Sequence, residues 1–360
     1  MSDIKRIGIL TAGGDCPGLN AVIRAVTKYA ILKHNIEVVG IYEGFGGLLR
    51  KNYRTLSAPE ASGILARGGT ILGASNRDNP FRVMVGEGQY EDQSKTALET
   101  IGEAGLDALV CVGGDGTMNI AQRFAELGVP VVGVPKTIDN DLDGTDQTFG
   151  FDTAASIVAD AIVDLHTTAE AHHRVMIVET MGRYAGWLAL AGGLGGAANV
   201  ILIPEIPYDI GGVIEHLRTR RRSGKKCSIV AIAEGAREQG GGLVVKEQDP
   251  TRTDPVRLGG VGHQLAWQVQ QGGGPECRVV VLGHLQRAGR PTSFDRILAT
   301  RFGVHAVDLV RGASFGRMVS LHGNAIESVP ISEAIKQQRL VPADHPMVAA
   351  ARAVDASFGV

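Results

Sequence analysis

Short apolar runs rich in β-branched residues alternate with longer amphipathic stretches along most of this 360-residue chain. A short buried run followed by a helical stretch, repeated many times, is typical of parallel sheets that carry helices on both faces. We therefore predict an α/β fold whose ligands bind at the carboxyl ends of the strands. The predicted strands are 6–10, 37–41, 108–112, 131–134, 175–178, 200–203, 228–233 and 278–282.

Amphipathic stretches between several of these runs predict helices at 21–31, 119–127, 153–165, 213–222 and 298–309. Segment 238–258 carries many charges, two prolines and three consecutive glycines, which favours a mobile loop. Trp187 and Trp267 are predicted to lie in the core.

The charge balance excludes several classes of function. The chain has 36 Lys and Arg against 38 Asp and Glu, so its net charge of -2 supplies no field to attract nucleic acid or anionic membrane. No apolar run reaches the roughly 18 residues that a membrane span needs, and no signal peptide is recognisable. We expect a cytoplasmic globular protein that binds neither nucleic acid nor membrane.

Two loops share one pattern, in which a strand leads through Gly-Gly-Asp into a helix. They lie at 11–18 and 112–117, after the first and third predicted strands. Glycines allow backbone N–H groups to approach a phosphate, and the helix amino terminus adds partial positive charge. A tight turn capped by aspartate is the simpler alternative, but the repetition favours phosphate binding. The sequence has no Walker A motif, and neither loop fits G-x-G-x-x-G.

Carboxylates accompany these loops. Asp115 is placed to hold a Mg²⁺ that phosphate oxygens already coordinate. In the loop after the strand that ends at Val134, an extended backbone would point Thr137, Asp139 and Asp141 to one side. One carboxylate there could accept a proton from an attacking hydroxyl, although Asp and Asn are also common in turns.

Arg183 and Arg287 follow two further strands, and arginine suits the binding of phosphate groups. From the residues alone we predict a Mg²⁺-dependent phosphoryl transferase that acts on a hydroxyl of a small phosphorylated molecule.

The same residues occur in the order of a known family. Gly13-Gly14-Asp15 with 17–20, the loop 113–117, the loop 136–141, Met181-Gly182-Arg183 and the segments 283–287 and 293–296 together resemble 6-phosphofructokinase over nearly the whole chain. The resemblance implies phosphoryl transfer from ATP to the 1-hydroxyl of fructose 6-phosphate, a step of glycolysis. It also implies two Rossmann-like, three-layer, parallel-sheet domains with the active site between them. The donor domain would comprise residues 1–150 and about 286–336, and the sugar-phosphate domain about 151–285 and 337–360.

The resemblance assigns roles to particular residues. Asp139 would be the general base, assisted by Thr137 and Asp141, and Asp115 would bind Mg²⁺. Arg77 and Arg183 would act on the transferred group. The donor site would comprise Gly14, Tyr42, Arg77, Gly114, Gly116, Thr117 and Lys136. The sugar phosphate would contact Thr137, Asp139, Asp141, Met181, Gly182, Arg183, Glu234, His284 and Arg287, together with Arg174 and Arg278 of a neighbouring subunit. Such sharing implies a homo-oligomer, a dimer or a tetramer.

Two residues bear on the phosphoryl donor. Lys136 is typical of pyrophosphate users and of a mixed clade that also contains ATP users. Gly116 favours ATP, because the aspartate usual in pyrophosphate users would fill the nucleotide site and repel phosphate. We predict ATP as donor and keep pyrophosphate as the alternative. Segment 73–77 holds one more residue before its arginine than the common family pattern.

Two other interpretations are less favoured. A different kinase with a G-G-D-G-T loop would need neither the loop at 137–141 nor the one at 181–183. A non-catalytic nucleotide-binding subunit would be expected to lose Asp139 or Asp115, and both are present.

Overall fold

The computed structural model describes residues 4–86, 88–249 and 255–360. Strands and helices alternate along the first half of the chain, as predicted. In order they are β1 (Arg6–Thr11), α1 (Leu19–His34), β2 (Glu37–Ile41), α2 (Gly46–Arg50), β3 (Tyr53–Leu56), β4 (Val83–Gly86), β5 (Gln89–Glu91), α3 (Ser94–Glu103), β6 (Ala108–Gly113), α4 (Asp115–Glu126), β7 (Val131–Pro135) and α5 (Phe151–His172).

The second half continues the alternation. It contains β8 (Val175–Thr180), α6 (Trp187–Gly195), β9 (Val200–Leu202), α7 (Ile210–Arg222), β10 (Ser228–Ala233), β11 (Val245–Gln248), β12 (Val256–Leu258), α8 (Val261–Gln271), β13 (Cys277–Val281), a 3₁₀ helix (Gly283–Arg287), α9 (Ser293–Arg311), β14 (Arg317–His322), β15 (Ala325–Pro330), α10 (Ile331–Ala334) and α11 (Pro346–Ala353).

Two mostly parallel sheets form the framework, which confirms the predicted fold class. The larger has the strand order β15-β14-β7-β6-β1-β2-β3 and the smaller β13-β8-β10-β9. Only the edge pairs β14–β15 and β2–β3 of these sheets are antiparallel. The inner strands β6, β7, β8 and β10 are buried along their whole length, because helices cover both faces.

The larger sheet draws its strands from 6–135 and 317–330, and the smaller from 175–281. The exact domain boundaries stay a prediction. All the predicted strands and helices are present, and each predicted helix begins a few residues earlier than the sequence pattern indicated.

The start of α5 is tied to the start of α9 by a buried carboxylate. Asp295 is fully buried and accepts hydrogen bonds from the backbone N–H groups of Gly150 (2.9 Å) and Thr153 (2.8 Å). Burial raises the pKa of Asp295 to about 6. Since α5 begins directly after the loop that follows β7, this network fixes where that loop ends.

The structure corrects the predictions for segment 238–258 and for Trp267. Segment 238–258 is not simply a loop, because it contains the antiparallel pair β11–β12; residues 250–254 lie outside the described residues. Trp187 is buried as predicted, whereas Trp267 is 63% exposed. Helix α8 buries Leu265, Ala266 and Val269, which leaves Trp267 on its solvent face.

Among the described residues, no helix is both long and apolar enough to cross a membrane. The cytoplasmic location stays a prediction.

Candidate active site

The carboxyl ends of strands from both sheets meet at one cavity of 780 Å³. Loops after β1, β6 and β7 line it from the larger sheet, and loops after β8, β10 and β13 line it from the smaller. This is where parallel sheets bind ligands, because the loops and helix amino termini converge there.

The first glycine loop contacts the opposite side of the cavity. Gly13 has a φ of +76°, a conformation that glycine adopts without strain. A Cβ on Gly14 would lie 2.8 Å from Nη1 of Arg287, so only glycine lets this arginine approach. Arg287 also donates to the backbone oxygen of Asp15 at 3.1 Å. A cation from the smaller sheet therefore lies against a loop of the larger sheet.

The second glycine loop leads into the amino terminus of α4. Gly114 precedes the helix with an extended backbone and no side-chain cap, so the first N–H groups of the helix remain available to an anion. Gly114, Asp115, Gly116 and Thr117 all line the cavity. Asn119 donates to Oδ1 of Asp115 at 3.0 Å, and burial raises the pKa of this carboxyl.

The loop after β7 places two carboxylates in the cavity. Asp139 and Asp141 are 6% and 8% exposed, and Thr137, whose Oγ1 accepts from the backbone N–H of Asp139 at 3.0 Å, lines the cavity beside them. The intervening Ile138 is fully buried in the core, while Asn140 has a left-handed φ of +53°. The loop is therefore not a plain extended segment, although the three side chains converge as the sequence predicts.

The two carboxylates influence each other electrostatically. Burial, followed by the charge of Asp139, raises the pKa of Asp141 to about 7. Oδ1 of Asp139 is buried and has no hydrogen-bond partner among the described residues. A buried carboxylate oxygen without a donor is suited to accept a proton or a cation from a ligand.

Lys136 is a buried cation beneath the first glycine loop. Its Nζ donates to the backbone oxygen of Gly14, and burial lowers its pKa. The sequence placed Lys136 in the donor site but did not predict that it supports the glycine loop.

The loop after β8 presents a second cation. Gly182 has a φ of +132°, and a Cβ there would lie 2.6 Å from the oxygen of Ala185, so a glycine is required. This turn directs Arg183 into the cavity. The backbone N–H of Arg183 donates to Glu234 at 3.1 Å. Burial, with a contribution from Asp139, raises the pKa of Glu234 to about 7, and the charge of Arg183 opposes that rise.

Comparison with known proteins identifies the family. A family model described as "Phosphofructokinase" matches residues 6–310. The chain belongs to the phosphofructokinase family. A relative from Clostridium perfringens named "ATP-dependent 6-phosphofructokinase 2" is 47% identical and is aligned over 99% of either chain. A relative from Amycolatopsis methanolica named as a pyrophosphate–fructose 6-phosphate 1-phosphotransferase is 49% identical, over 94% of this chain and 96% of its own.

A solved phosphofructokinase from Saccharomyces cerevisiae has the same fold. It superposes with a TM-score of 0.79 at 31% identity, over 92% of this chain and 45% of the yeast chain. This chain therefore matches just under half the length of the yeast chain.

Most of the residues predicted for the site line the cavity. They are Gly14, Gly114, Asp115, Gly116, Thr117, Lys136, Thr137, Asp139, Asp141, Met181, Arg183, Glu234, His284 and Arg287. Gly182 shapes the loop without lining the cavity itself.

Tyr42 and Arg77 do not line the cavity. Tyr42 is half-buried, with the guanidinium carbon of Arg54 5.8 Å from its ring centre. The side chain of Arg77 is 61% exposed and lies 3.8 Å from Asp249. Its neighbours Asn76 and Asp78 do line the cavity. The extra residue in segment 73–77 is consistent with this outward position of the arginine.

Arg174 and Arg278 lie at the amino ends of β8 and β13, whereas the cavity is at the carboxyl ends. Both pair with Glu276, at 3.2 Å and 2.5 Å respectively. Because all strands of the smaller sheet are parallel, neither arginine lines the cavity of its own chain.

The sequence missed several lining residues. Glu179, 3% exposed, accepts from the backbone N–H groups of Gly260 (2.9 Å) and Gly262 (2.8 Å) and so holds the start of α8 at the cavity. The only signal was a charged residue within an apolar strand. Lys246 and His263 also line the cavity. Lys246 lies in the segment predicted to be a loop, and His263 lies in α8, for which the sequence pattern predicted no helix.

The residues present fit a magnesium ion that is held jointly with phosphate groups. The described residues contain no cluster of three or more acidic, His or Cys ligands, so a cage built only from protein groups is not formed there. Asp115 and Asp139 face the cavity, and Oδ1 of Asp139 lacks a partner. Mg²⁺ commonly takes one or two carboxylates and completes its shell with phosphate oxygens and water.

Proposed function

We propose that this chain is an ATP-dependent 6-phosphofructokinase, which converts fructose 6-phosphate and ATP into fructose 1,6-bisphosphate and ADP. The observation that carries the proposal is one cavity that is lined by glycine loops of the larger sheet, by Arg183, His284 and Arg287 of the smaller, and by Asp139. The glycine loops suit a phosphate donor, and the cations suit a phosphorylated acceptor.

Asp139 acts as the general base in this proposal. An oxygen lone pair of the 1-hydroxyl forms the new bond to the γ-phosphorus of ATP, and the hydroxyl proton passes to Asp139. The bond from that phosphorus to the bridging oxygen breaks, and its electron pair leaves with ADP. Asp141 and Thr137 orient the base, because Thr137 already accepts from its backbone N–H.

Cationic groups offset the charge of the transferred phosphoryl group. Arg183 and Arg287 line the cavity from the smaller sheet, and Arg287 reaches the first glycine loop. Magnesium, when bound through Asp115 and phosphate oxygens, would neutralise further phosphate charge.

The choice of donor rests on Gly116. It lies in the first turn of α4 and lines the cavity, where an acidic side chain would oppose a nucleotide phosphate. Pyrophosphate is the second candidate, because the buried Nζ of Lys136 lies next to the first glycine loop and one close relative is named as a pyrophosphate enzyme.

A single purified sample tests the proposal. We expect fructose 1,6-bisphosphate to form from fructose 6-phosphate and Mg²⁺ with ATP, measured in a coupled assay, with pyrophosphate in a parallel reaction. Turnover with pyrophosphate alone would show that Lys136 has more influence than Gly116 on the choice of phosphoryl donor. Nucleotide binding without turnover with either donor would contradict the enzymatic proposal.

We also infer a homo-oligomer whose sites are shared between subunits. Arg174 and Arg278 are unable to reach the cavity of their own chain, yet they belong to the sugar-phosphate residues that the family resemblance implies. Large apolar side chains are exposed in the single chain, among them Leu285 and Ile297, at 64% and 60%. Such surfaces are typical of subunit contacts.

Subunit sharing predicts complementation between two defective variants. We expect Arg278→Ala to raise the KM for fructose 6-phosphate by about 10- to 100-fold, since one charge-assisted contact is lost. Mixed with Asp139→Asn and reassembled, it should regain activity, because one site of each hybrid keeps both native residues. For a dimer that reassorts at random, roughly a quarter of wild-type activity returns when fructose 6-phosphate is well below the wild-type KM, where Arg278→Ala alone is nearly inactive. Mixtures no more active than the separate variants would show that the sites are not shared.

A further inference from the structure

A segment near the carboxyl terminus lies along the loop that carries Asp139. Residues 337–341, the C-terminal strap, follow α10 and form an antiparallel bridge between Gln338 and Leu142. The backbone N–H of Arg339 donates to the oxygen of Asp141 at 2.9 Å. The strap therefore extends the loop by backbone pairing, although about 200 residues separate them in sequence.

The side chain of Arg339 adds a second contact to the same loop. Its Nη1 donates to the backbone oxygen of Asn140 at 3.3 Å. Arg339 thus binds two consecutive carbonyl groups of the loop, one through its backbone and one through its guanidinium. These are the carbonyls of the residue between the two carboxylates and of the second carboxylate itself.

Arg339 also contacts the start of α6, directly after the loop that follows β8. Its guanidinium carbon lies 4.2 Å from the ring centre of Trp187, and the indole Nε1 donates to the backbone oxygen of Arg339 at 2.8 Å. Trp187 begins α6, directly after the turn that presents Arg183. One residue therefore bridges the loop of the two carboxylates and the helix that begins directly after the loop of Arg183.

The centre of the loop has a left-handed conformation that contacts on both sides hold. Asn140 has a φ of +53°, and its Oδ1 accepts from the backbone N–H of Thr148 at 3.0 Å, opposite the contacts of Arg339. Oδ1 of Asp139 has no hydrogen-bond partner among the described residues, so no donor fixes that oxygen. The direction of the Asp139 side chain accordingly depends on the backbone on either side of it.

We propose that Arg339 is a positioning residue, which fixes the 139–141 backbone relative to the loop of Arg183. The proposal rests on the proposed function, because it assigns Arg339 to the alignment of the base with its substrate. Arg339 does not line the cavity. Its effect should therefore appear in kcat, since a misplacement of about 1 Å in the reacting groups can lower a rate by about 10²-fold.

The test is Arg339→Met, which keeps an unbranched apolar stem against Trp187 and removes the guanidinium. We expect kcat to fall by about 10- to 100-fold, with the KM for either substrate within about twofold. Arg339→Lys, which keeps a donor for the oxygen of Asn140, should recover a substantial part of that loss. Amide hydrogen exchange, measured without substrates, should be faster at 139–142 in the Met variant.

Arg352→Met is the matched control, because Arg352 stacks on Phe358 at 5.4 Å in the same carboxyl-terminal region and lies outside the cavity. It should change neither kcat nor the exchange of 139–142. Arg339 has no positioning role if Arg339→Met has the same kcat and the same amide exchange at 139–142 as Arg352→Met. The same conclusion follows if Arg339→Met only lowers the melting temperature. Failure of the proposed function is distinguishable, since the wild-type protein would then show no turnover while the exchange comparison remains measurable.

Discussion

Asp139→Asn is expected to lower kcat by about 10²- to 10⁴-fold, because it removes the group that accepts the hydroxyl proton in the transition state. Asparagine has nearly the same volume as aspartate, and Oδ1 of Asp139 accepts no hydrogen bond among the described residues, so the substitution should change the surrounding packing little. Affinity for fructose 6-phosphate should persist, because the cations that face it remain. Steady-state kinetics with saturating ATP measures both quantities.

A pH profile of the same variant provides a second readout. The pKa of Asp141 is raised to about 7 by burial and by the charge of Asp139. Without that charge the pKa of Asp141 falls, so its carboxylate persists to lower pH. In wild type, kcat should decline as the pH falls through about 7. In Asp139→Asn, the decline of the residual rate should move to lower pH.

Asp160→Asn is the control, since Asp160 is an exposed carboxylate on α5 that does not line the cavity. It should leave kcat nearly unchanged. Activity of Asp139→Asn within a few-fold of wild type would contradict the assignment of the base.

Gly116→Asp is expected to lower kcat/KM for ATP by about 10²- to 10³-fold, because a carboxylate near nucleotide phosphates costs several kcal/mol. Pyrophosphate lacks the nucleoside and its attached phosphate, so kcat/KM for pyrophosphate should fall less than kcat/KM for ATP. Rates with both donors measure the difference. If wild type does not turn pyrophosphate over, its competitive inhibition constant against ATP serves instead.

Gly116→Asn separates charge from volume, because the two side chains have almost the same shape. We expect Gly116→Asn to lower kcat/KM for ATP less than Gly116→Asp does, since only the aspartate side chain repels phosphate. Equal losses for ATP and pyrophosphate in Gly116→Asp would refute Gly116 as the residue that selects the donor.

The strands and loops that build the cavity were predictable because their signals are local. A β-branched run that ends in Gly-Gly-Asp specifies a strand and a phosphate-binding turn within a few residues. A β-branched run followed by Lys136–Asp141 specifies a strand and a loop of carboxylates in the same way. Parallel pairing then brings the strand ends together. The edge strand β15, in contrast, has alternating half-exposed positions, and no buried run marks it in the sequence.

Contacts between distant segments were not predictable. No local pattern connects Lys136 with the oxygen of Gly14, Arg287 with the loop at Asp15, or Glu179 with the start of α8. The family resemblance assigned Arg77 to the site, yet the path of the chain turns its side chain outward.

The sequence by itself determined the α/β class, the order of the loops and the residue types of a phosphoryl-transfer site. Each of these depends on periodicity or on short motifs, which act over one strand, turn or helix. Only the tertiary structure decided which groups share the cavity, which lie at the far ends of the strands, and that Arg339 supports the Asp139 loop. Those relations join segments as much as about 270 residues apart, as Asp15 and Arg287 are, and packing of the whole chain sets them.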